Sequence, residues 1–149
     1  MVMKRLFSFL LVVVLAMTTY AVSVGSPNGR IKLVFDVGVK DSVAYYQVFF
    51  DEKEVIGKSE MGFLLDEDRD LRTGFAVNKV DIKEFASKWE PVLGQYAEIE
   101  DRYNQCVVGL TQTATGRMMR IVFRLYDEGV AFRYEFDKQE NLGYFRIAD

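Results

Sequence analysis

The stretch from Met118 to Phe136, MMRIVFRLYDEGVAFRYEF, decides the fold because its side chains specify how it pairs with itself. If Tyr126 to Gly129 forms a loop of about four residues, with Gly129 at a positive φ angle, the flanking residues form an antiparallel hairpin. Every pair on one face is then apolar: Leu125 with Val130, Phe123 with Phe132, Ile121 with Tyr134 and Met119 with Phe136. The opposite face pairs Arg124 with Ala131, Val122 with Arg133 and Arg120 with Glu135. A slip by one residue would set arginines against apolar partners, so the pattern predicts a single register.

The residues before this hairpin predict a third antiparallel strand. A turn at Thr113 to Gly116 would place three side chains of the segment RYNQCVVGLTQ opposite the hairpin: Leu110 opposite Met119, Val108 opposite Ile121 and Cys106 opposite Phe123. Cys106 is the only cysteine, so no internal disulfide can form. In this register the Cys106 thiol points into the core and behaves as a small hydrophobe rather than as a reactive group.

The rest of the chain also favours strands. Arg30 to Val37 alternates apolar and polar residues, and Val43 to Phe50 is aromatic and β-branched. A turn at Asp51 to Glu54 leads back into Val55 and Ile56. Shorter strands are predicted at 61–65, 75–80 and 144–147, and the only brief helix at 83–88. Many short, closely spaced strands indicate an all-β fold, an antiparallel β-sandwich.

Residues 1–21 have the pattern of a secretory signal peptide, which leaves a β-sandwich domain at 22–149. Lys4 and Arg5 precede an apolar run from Leu6 to Met17, and small residues lie at the expected cleavage position after Ala21. The run is shorter than the roughly 20 residues of a spanning helix, so we expect no membrane association after cleavage. Cleavage leaves 17 basic against 22 acidic residues, a net charge of -5, which is a poor match for nucleic acid. The expected location is the periplasm.

Two features limit the chemistry available to this chain. It contains no histidine, so neither a Ser-His-Asp triad nor an imidazole zinc site can be built from it. Asp66, Asp68 and Asp70 alternate like the start of a calcium-binding EF-hand loop, but Leu71 and Val77 occupy the positions that require glycine and a bidentate carboxylate. We interpret this stretch as a solvated acidic loop, and expect no metal or other cofactor in this chain.

The segment WEPVLGQYAEIEDRY, residues 89–103, holds the candidate functional residues. It combines aromatic rings with carboxylates, the pairing that stacks and hydrogen-bonds a sugar; the candidates are Trp89, Glu90, Tyr96, Glu98 and Tyr103. Two carboxylates across a cleft could also act as a general acid and base. The alternative is a long connection whose rings cover the end of the sandwich. Contact with a carbohydrate or with another domain therefore stays open beside a purely structural role.

The succession SPNGRIKLVFDV, YYQVFFDEKEVIGKSEMGFLL, WEPVLGQYAEIEDRYNQ, MRIVFRLYDEGVAFRYEF and LGYFRIAD resembles the start of glycoside hydrolase family 97. The resemblance covers the mature chain in order, and the WEPV stretch together with the RLYDEGVAFRYEF hairpin is its most specific part. It implies a periplasmic, calcium-dependent α-glucosidase or α-galactosidase with an N-terminal β-supersandwich, a central (β/α)8 barrel and a C-terminal β domain. The catalytic carboxylates belong to the barrel, and the calcium ligand of the N-terminal domain would follow Asp149, so no catalytic or metal residue is assigned here.

Three functions follow as hypotheses. The first is a non-catalytic N-terminal domain, or a truncated product, that supports the missing barrel and contacts an α-linked oligosaccharide. The second is a free-standing carbohydrate-binding module, which requires Trp89, Tyr96 and Tyr103 to be exposed on one face. The third is a structural envelope protein without a ligand. In each case half a supersandwich leaves apolar faces and strand edges open, so we expect the isolated chain to self-associate or to be only marginally stable.

Overall fold

The structure, a computed structural model, describes residues 21–66, 70–93 and 98–148. Ten strands follow one another in these ranges: β1 Val22–Gly25, β2 Ile31–Val37, β3 Ala44–Phe50, β4 Lys53–Met61, β5 Phe63–Leu64, β6 Asp70–Leu71, β7 Phe75–Trp89, β8 Ile99–Gln112, β9 Met118–Leu125 and β10 Val130–Glu135. They form a four-stranded sheet of order β1-β2-β3-β4, a second of order β10-β9-β8-β7, and a small ribbon of β5 and β6. All pairings are antiparallel.

The two four-stranded sheets pack face to face around a shared hydrophobic core. Phe35 of β2 and Phe123 of β9 are fully buried, and their ring centroids lie 5.9 Å apart across the two layers. The buried cluster draws on both sheets, with Leu33 and Val48 from the first and Leu110 and Ile121 from the second. The predicted all-β antiparallel sandwich is therefore confirmed.

The register predicted for the β9–β10 hairpin is confirmed from Leu125 opposite Val130 to Arg120 opposite Glu135. The pairing of Cys106 with Phe123, which buries Cys106 completely, is also confirmed. The positive φ angle predicted for Gly129 is wrong, since the chain turns through Asp127 and Glu128 without one. Gly129 already lies beside Tyr126 at the mouth of the turn, where the Tyr126 amide donates to the Gly129 carbonyl at 2.9 Å.

The turn between β3 and β4 is shorter than the sequence suggested. Phe50 pairs directly with Lys53, so only Asp51 and Glu52 form the loop, at φ angles of 45° and 65°. Two consecutive positive φ angles are the signature of the type I′ turn, whose twist matches that of the flanking strands. β4 therefore begins at Lys53 and not at Val55.

Three other expectations need correction. The brief helix at 83–88 is wrong, because these residues belong to β7, where each one pairs with a residue of β8. The strand at 61–65 is divided, since β4 ends at Met61 and β5 contains only Phe63 and Leu64. The final strand at 144–147 reduces to a single bridge between Leu65 and Ile147.

The predicted signal peptide lies outside the described residues, except for Ala21. Within the described ranges, no helix is long and apolar enough to cross a membrane.

Candidate functional site

The segment that holds the candidate residues is the end of a long hairpin. β7 and β8 pair continuously from Phe75 opposite Gln112 to Trp89 opposite Ile99, apart from one register shift near Asn78. β9 accompanies β8 only as far as Asn104, which pairs with Leu125. The outer part of the hairpin, 85–89 with 99–103, therefore extends beyond the paired part of β9. The alternative of a long connection at 89–103 is corrected for 99–103, which are paired strand residues.

The tip of this hairpin is apolar and exposed. Trp89 ends β7 with 52% of its surface accessible, and Val92 and Leu93 in the following loop are 98% and 91% exposed. Glu90 is also exposed. Three large apolar side chains exposed together at one end of the hairpin form a surface whose contact with water is unfavourable. We call Trp89, Val92 and Leu93 the apolar tip.

Glu98 lies beside the apolar tip and forms an ion pair. Its carboxylate accepts a hydrogen bond from Lys88 Nζ at 2.9 Å, and both side chains are more than half exposed. Such a pair contributes on the order of 0–1 kcal/mol to stability. Its main effect is to hold a carboxylate and an ammonium group next to the Trp89 strand end, where either could hydrogen-bond a hydroxyl group.

Tyr103 is not available for stacking on a ligand. Its ring is buried and stacks on Phe85, with centroids 5.0 Å apart and planes 18° apart. Tyr126 approaches the same ring at 5.1 Å, and the guanidinium of Arg124 lies 4.6 Å from its centroid. The requirement that Tyr103 be exposed with Trp89 is therefore not met, because neighbouring rings cover it. Tyr96 lies outside the described residues.

The other residues that could bind a metal or react chemically make structural contacts instead. Asp70 accepts hydrogen bonds from the Arg72 amide at 2.6 Å and the Thr73 hydroxyl at 2.8 Å, so it closes a turn. No group of three or more metal-binding side chains occurs in the ranges that the structure describes. Burial, with a smaller effect of the Asp81 charge, raises the pKa of Cys106 to about 11, so its thiol is protonated at neutral pH.

Sequence reasoning missed one concave region, on the outer face of the second sheet. A pocket of about 370 Å³ opens around Gly109, between side chains of β7 and β9. Gly109 is an isolated glycine inside a strand, a pattern that often marks close approach of another group. That pattern could have identified the region, but the partners of Gly109 depend on a bulge in β7 that the sequence does not reveal.

Comparison with known proteins places this hairpin and its sandwich in a family. The sequence profile of the glycosyl-hydrolase 97 N-terminal family matches residues 24–149. A glycoside hydrolase family 97 enzyme from Pseudoalteromonas sp. strain K8 superposes with TM-scores of 0.77 in its panose complex and 0.78 in its acarbose complex, at 28% identity. A β-arabinopyranosidase superposes at 0.74 with 20% identity, which shows the shared fold alone.

The superposition includes most of this chain but only a small part of the relative. It covers 85% of this chain but 19% of the Pseudoalteromonas enzyme, so the chain spans about a fifth of the length of that relative. The match is to the N-terminal part of family 97 enzymes, as the profile description states. On this evidence, the chain belongs to the N-terminal domain family of glycoside hydrolase family 97.

Proposed function

We propose that this chain is a non-catalytic domain that supports the catalytic barrel of a family 97 α-glycosidase, exported to the periplasm by residues 1–21. The observation that carries the proposal is the apolar tip of the β7–β8 hairpin. A hairpin that leaves its sheet and presents Trp89, Val92 and Leu93 to water is suited to burial against another domain. Tryptophan is among the side chains that most often dominate the binding energy of a protein interface.

We expect the chain alone to lack this activity. Glu98 is paired with Lys88, Tyr103 is buried, and no metal-binding group is found in the described ranges. We therefore expect the purified chain to leave p-nitrophenyl α-glucoside and panose unhydrolysed. Calcium, expected from the family resemblance, would act only in the complete enzyme.

A chimera tests the supporting role. Residues 22–149 would replace the matching N-terminal stretch of the Pseudoalteromonas enzyme, and hydrolysis of p-nitrophenyl α-glucoside and thermal unfolding would be measured. We expect the chimera to be active, and serine at Trp89, Val92 and Leu93 to lower both activity and the melting temperature. Val39→Ser is the matched control, since Val39 is exposed in the β2–β3 connection. Equal behaviour of the triple variant and the control would refute the role of the tip.

Contact with carbohydrate at Trp89 is a second candidate, favoured by one observation. The half-exposed indole follows Lys88 at the end of β7, and Lys88 pairs with Glu98, so an aromatic ring and hydrogen-bonding groups occur at the same end of the hairpin. Trp89 is the only tryptophan, so its fluorescence reports this site without interference. We expect maltooligosaccharides to quench it in the isolated chain and galactosides to differ in strength. Unchanged fluorescence with both sugar classes would remove this candidate and leave the barrel contact untouched.

A further inference from the structure

The outer face of the second sheet contains a gap at Gly109. Four residues lie side by side across the four strands: Lys79 of β7, Gly109 of β8, Arg120 of β9 and Glu135 of β10. Gly109 contributes no side chain, so Lys79 and Arg120 flank a position that only the Asn78 side chain partly covers. Adjacent strands are about 4.8 Å apart, which puts the two flanking backbones about 10 Å from each other. The 370 Å³ pocket lies in this gap.

A bulge in β7 positions a polar group over the gap. The pairing register shifts between Val77 and Lys79, which leaves Asn78 as an extra residue. Its side chain covers Gly109 so closely that any Cβ there would collide with Asn78 Oδ1. The Asn78 amide donates to Thr111 Oγ1 at 2.7 Å, which turns the Asn78 carbonyl towards Gly109. A side chain at 109 would therefore displace Asn78, and bulges that re-aim a side chain in this way are common beside functional sites.

The charged groups around the gap are held in place and nearly balanced. Arg120 donates to both oxygens of Asp137 at 2.9 Å and lies 3.4 Å from Glu135. Asp81 lines the opposite side and pairs with Lys83 at 2.8 Å. The hydrogen bond from Lys83, with the positive charges of Lys83 and Lys79, lowers the pKa of Asp81, so its carboxylate is an acceptor at neutral pH.

We propose that this pocket binds a neutral mono- or disaccharide. Each sugar hydroxyl both donates and accepts, and the gap offers acceptors at Asp81 and Asn78 beside donors at Lys79 and Arg120. Val107 at one end of the pocket and Met118 at the other supply apolar contacts for CH groups of a sugar. Balanced charge disfavours a strongly ionic ligand. The volume falls within the range of about 300–1,000 Å³ that is usual for small-molecule sites.

This site is separate from the apolar tip and does not rest on the barrel contact. Lys79 and Trp89 lie on the same strand, ten residues apart, which corresponds to roughly 33 Å at about 3.3 Å per residue. A sugar in the pocket therefore cannot touch Trp89, and the two contacts can be measured independently. Failure of the chimera experiment would leave this inference standing, and the reverse also holds.

The test is a titration of the isotope-labelled chain followed by amide NMR, with maltose and melibiose as probes and glucose 6-phosphate as the charged comparison. At about 10 mM sugar even a Kd of about 1 mM would be evident. We expect shifts at Lys79, Gly109 and Arg120, with weaker binding of the phosphate. Shifts confined to the Trp89 indole, stronger binding of glucose 6-phosphate, or no shifts would each overturn the proposal.

Two variants make the test specific. Lys79→Met should weaken maltose binding at least tenfold, whereas Lys40→Met, exposed in the β2–β3 connection, should leave it unchanged. The double variant Asn78→Ala with Gly109→Ala removes the Asn78 carbonyl acceptor and places a methyl group at 109 without a collision. We expect the double variant to fold and to lose binding. Binding that survives in both pocket variants would refute the assignment.

Discussion

The ring of Phe35 in the first sheet meets the ring of Phe123 in the second, with 5.9 Å between centroids and 55° between planes. Both are fully buried, so this contact joins the layers at the centre of the core. We expect Phe123→Ala to lower the free energy of unfolding by about 3–5 kcal/mol, the usual cost of a phenylalanine-sized cavity. Phe132→Ala, on the same face but 43% exposed, should cost clearly less in urea unfolding. Equal losses would mean that the two sheets are not in contact at Phe123.

The two-residue turn between β3 and β4 offers a stabilising substitution. Glu52 has a φ angle of 65°, a conformation that is unfavourable for any residue with a Cβ. Glu52→Gly removes that cost, and after the larger backbone entropy loss of glycine we expect a net gain of about 0.5 kcal/mol. The midpoint of urea unfolding measures it.

Glu128 provides the matched control for that substitution. It lies in the β9–β10 turn and is not among the residues of positive φ in the described ranges. Glu128→Gly should therefore leave stability unchanged or reduce it. At this position glycine relieves no strain and only increases the backbone entropy lost on folding. A loss in Glu52→Gly equal to that in Glu128→Gly would contradict the type I′ turn.

The buried thiol of Cys106 predicts a specific alkaline weakness. Burial raises the folded pKa from 9.0 to about 11. Below the unfolded pKa the thiol is protonated in both states; as pH rises towards the folded pKa, the unfolded chain ionises first, so stability is lost in that window. Urea midpoints should fall more steeply between about pH 9 and about pH 11 in the wild type than in Cys106→Ala.

The cavity cost of Cys106→Ala is the same at every pH, so only the difference between the two slopes tests the prediction. Parallel slopes would show that Cys106 is not shielded from water. A second measurement follows from the same burial: at pH 8 the thiol should react with Ellman's reagent only after urea is added.

The open side of the sandwich predicts self-association of the isolated chain. β4 and β10 are edge strands of the two sheets, and an apolar groove between them is lined by Val55 and Ile56, both exposed. Exposed apolar edges pair with other edges. We expect elution in gel filtration with light scattering to shift towards the dimer at higher concentration, and Ile56→Lys to abolish the shift.

Val39→Lys is the control for Ile56→Lys, because Val39 is exposed elsewhere. If the control also abolishes association, net charge is responsible and the edge is not. A single monomeric species at all concentrations, with a cooperative thermal transition, would reject both self-association and marginal stability.

The sequence was informative where one face of a strand is buried. The β9–β10 register could be predicted because Phe123 and Ile121 must face the core, and any shift would bury arginine. The strand conformation of 83–88 could not be predicted, because these residues are exposed to solvent on both faces. Their lysines and glutamate are as compatible with a helix as with a strand. Its strand conformation comes from pairing with β8, a long-range contact that no local pattern encodes.

The candidate residues divide in the same way. That Trp89 lies near a carboxylate could be expected from its neighbours in the chain, and Glu98 does lie next to Lys88 at the end of the hairpin. The burial of Tyr103 could not, since it depends on Phe85 and Tyr126 from two other segments. The Gly109 pocket could not be predicted either, because it depends on the register of four strands and on the bulge in β7.

The part of the β7–β8 hairpin that extends beyond β9 also determines which backbone amides can open locally. Amides at 85–89 and 99–103 bond only across one pair of strands, so they can open locally while the four-stranded core remains closed. Hydrogen exchange at 85–89 and 99–103 should be governed by local fraying of the hairpin. Exchange in β9 should be governed by global unfolding. A partner bound at the apolar tip would slow hydrogen exchange at 85–89 and 99–103 and leave exchange in the core unchanged. Binding would then be measured as increased protection of individual backbone amides, without any change in the fold.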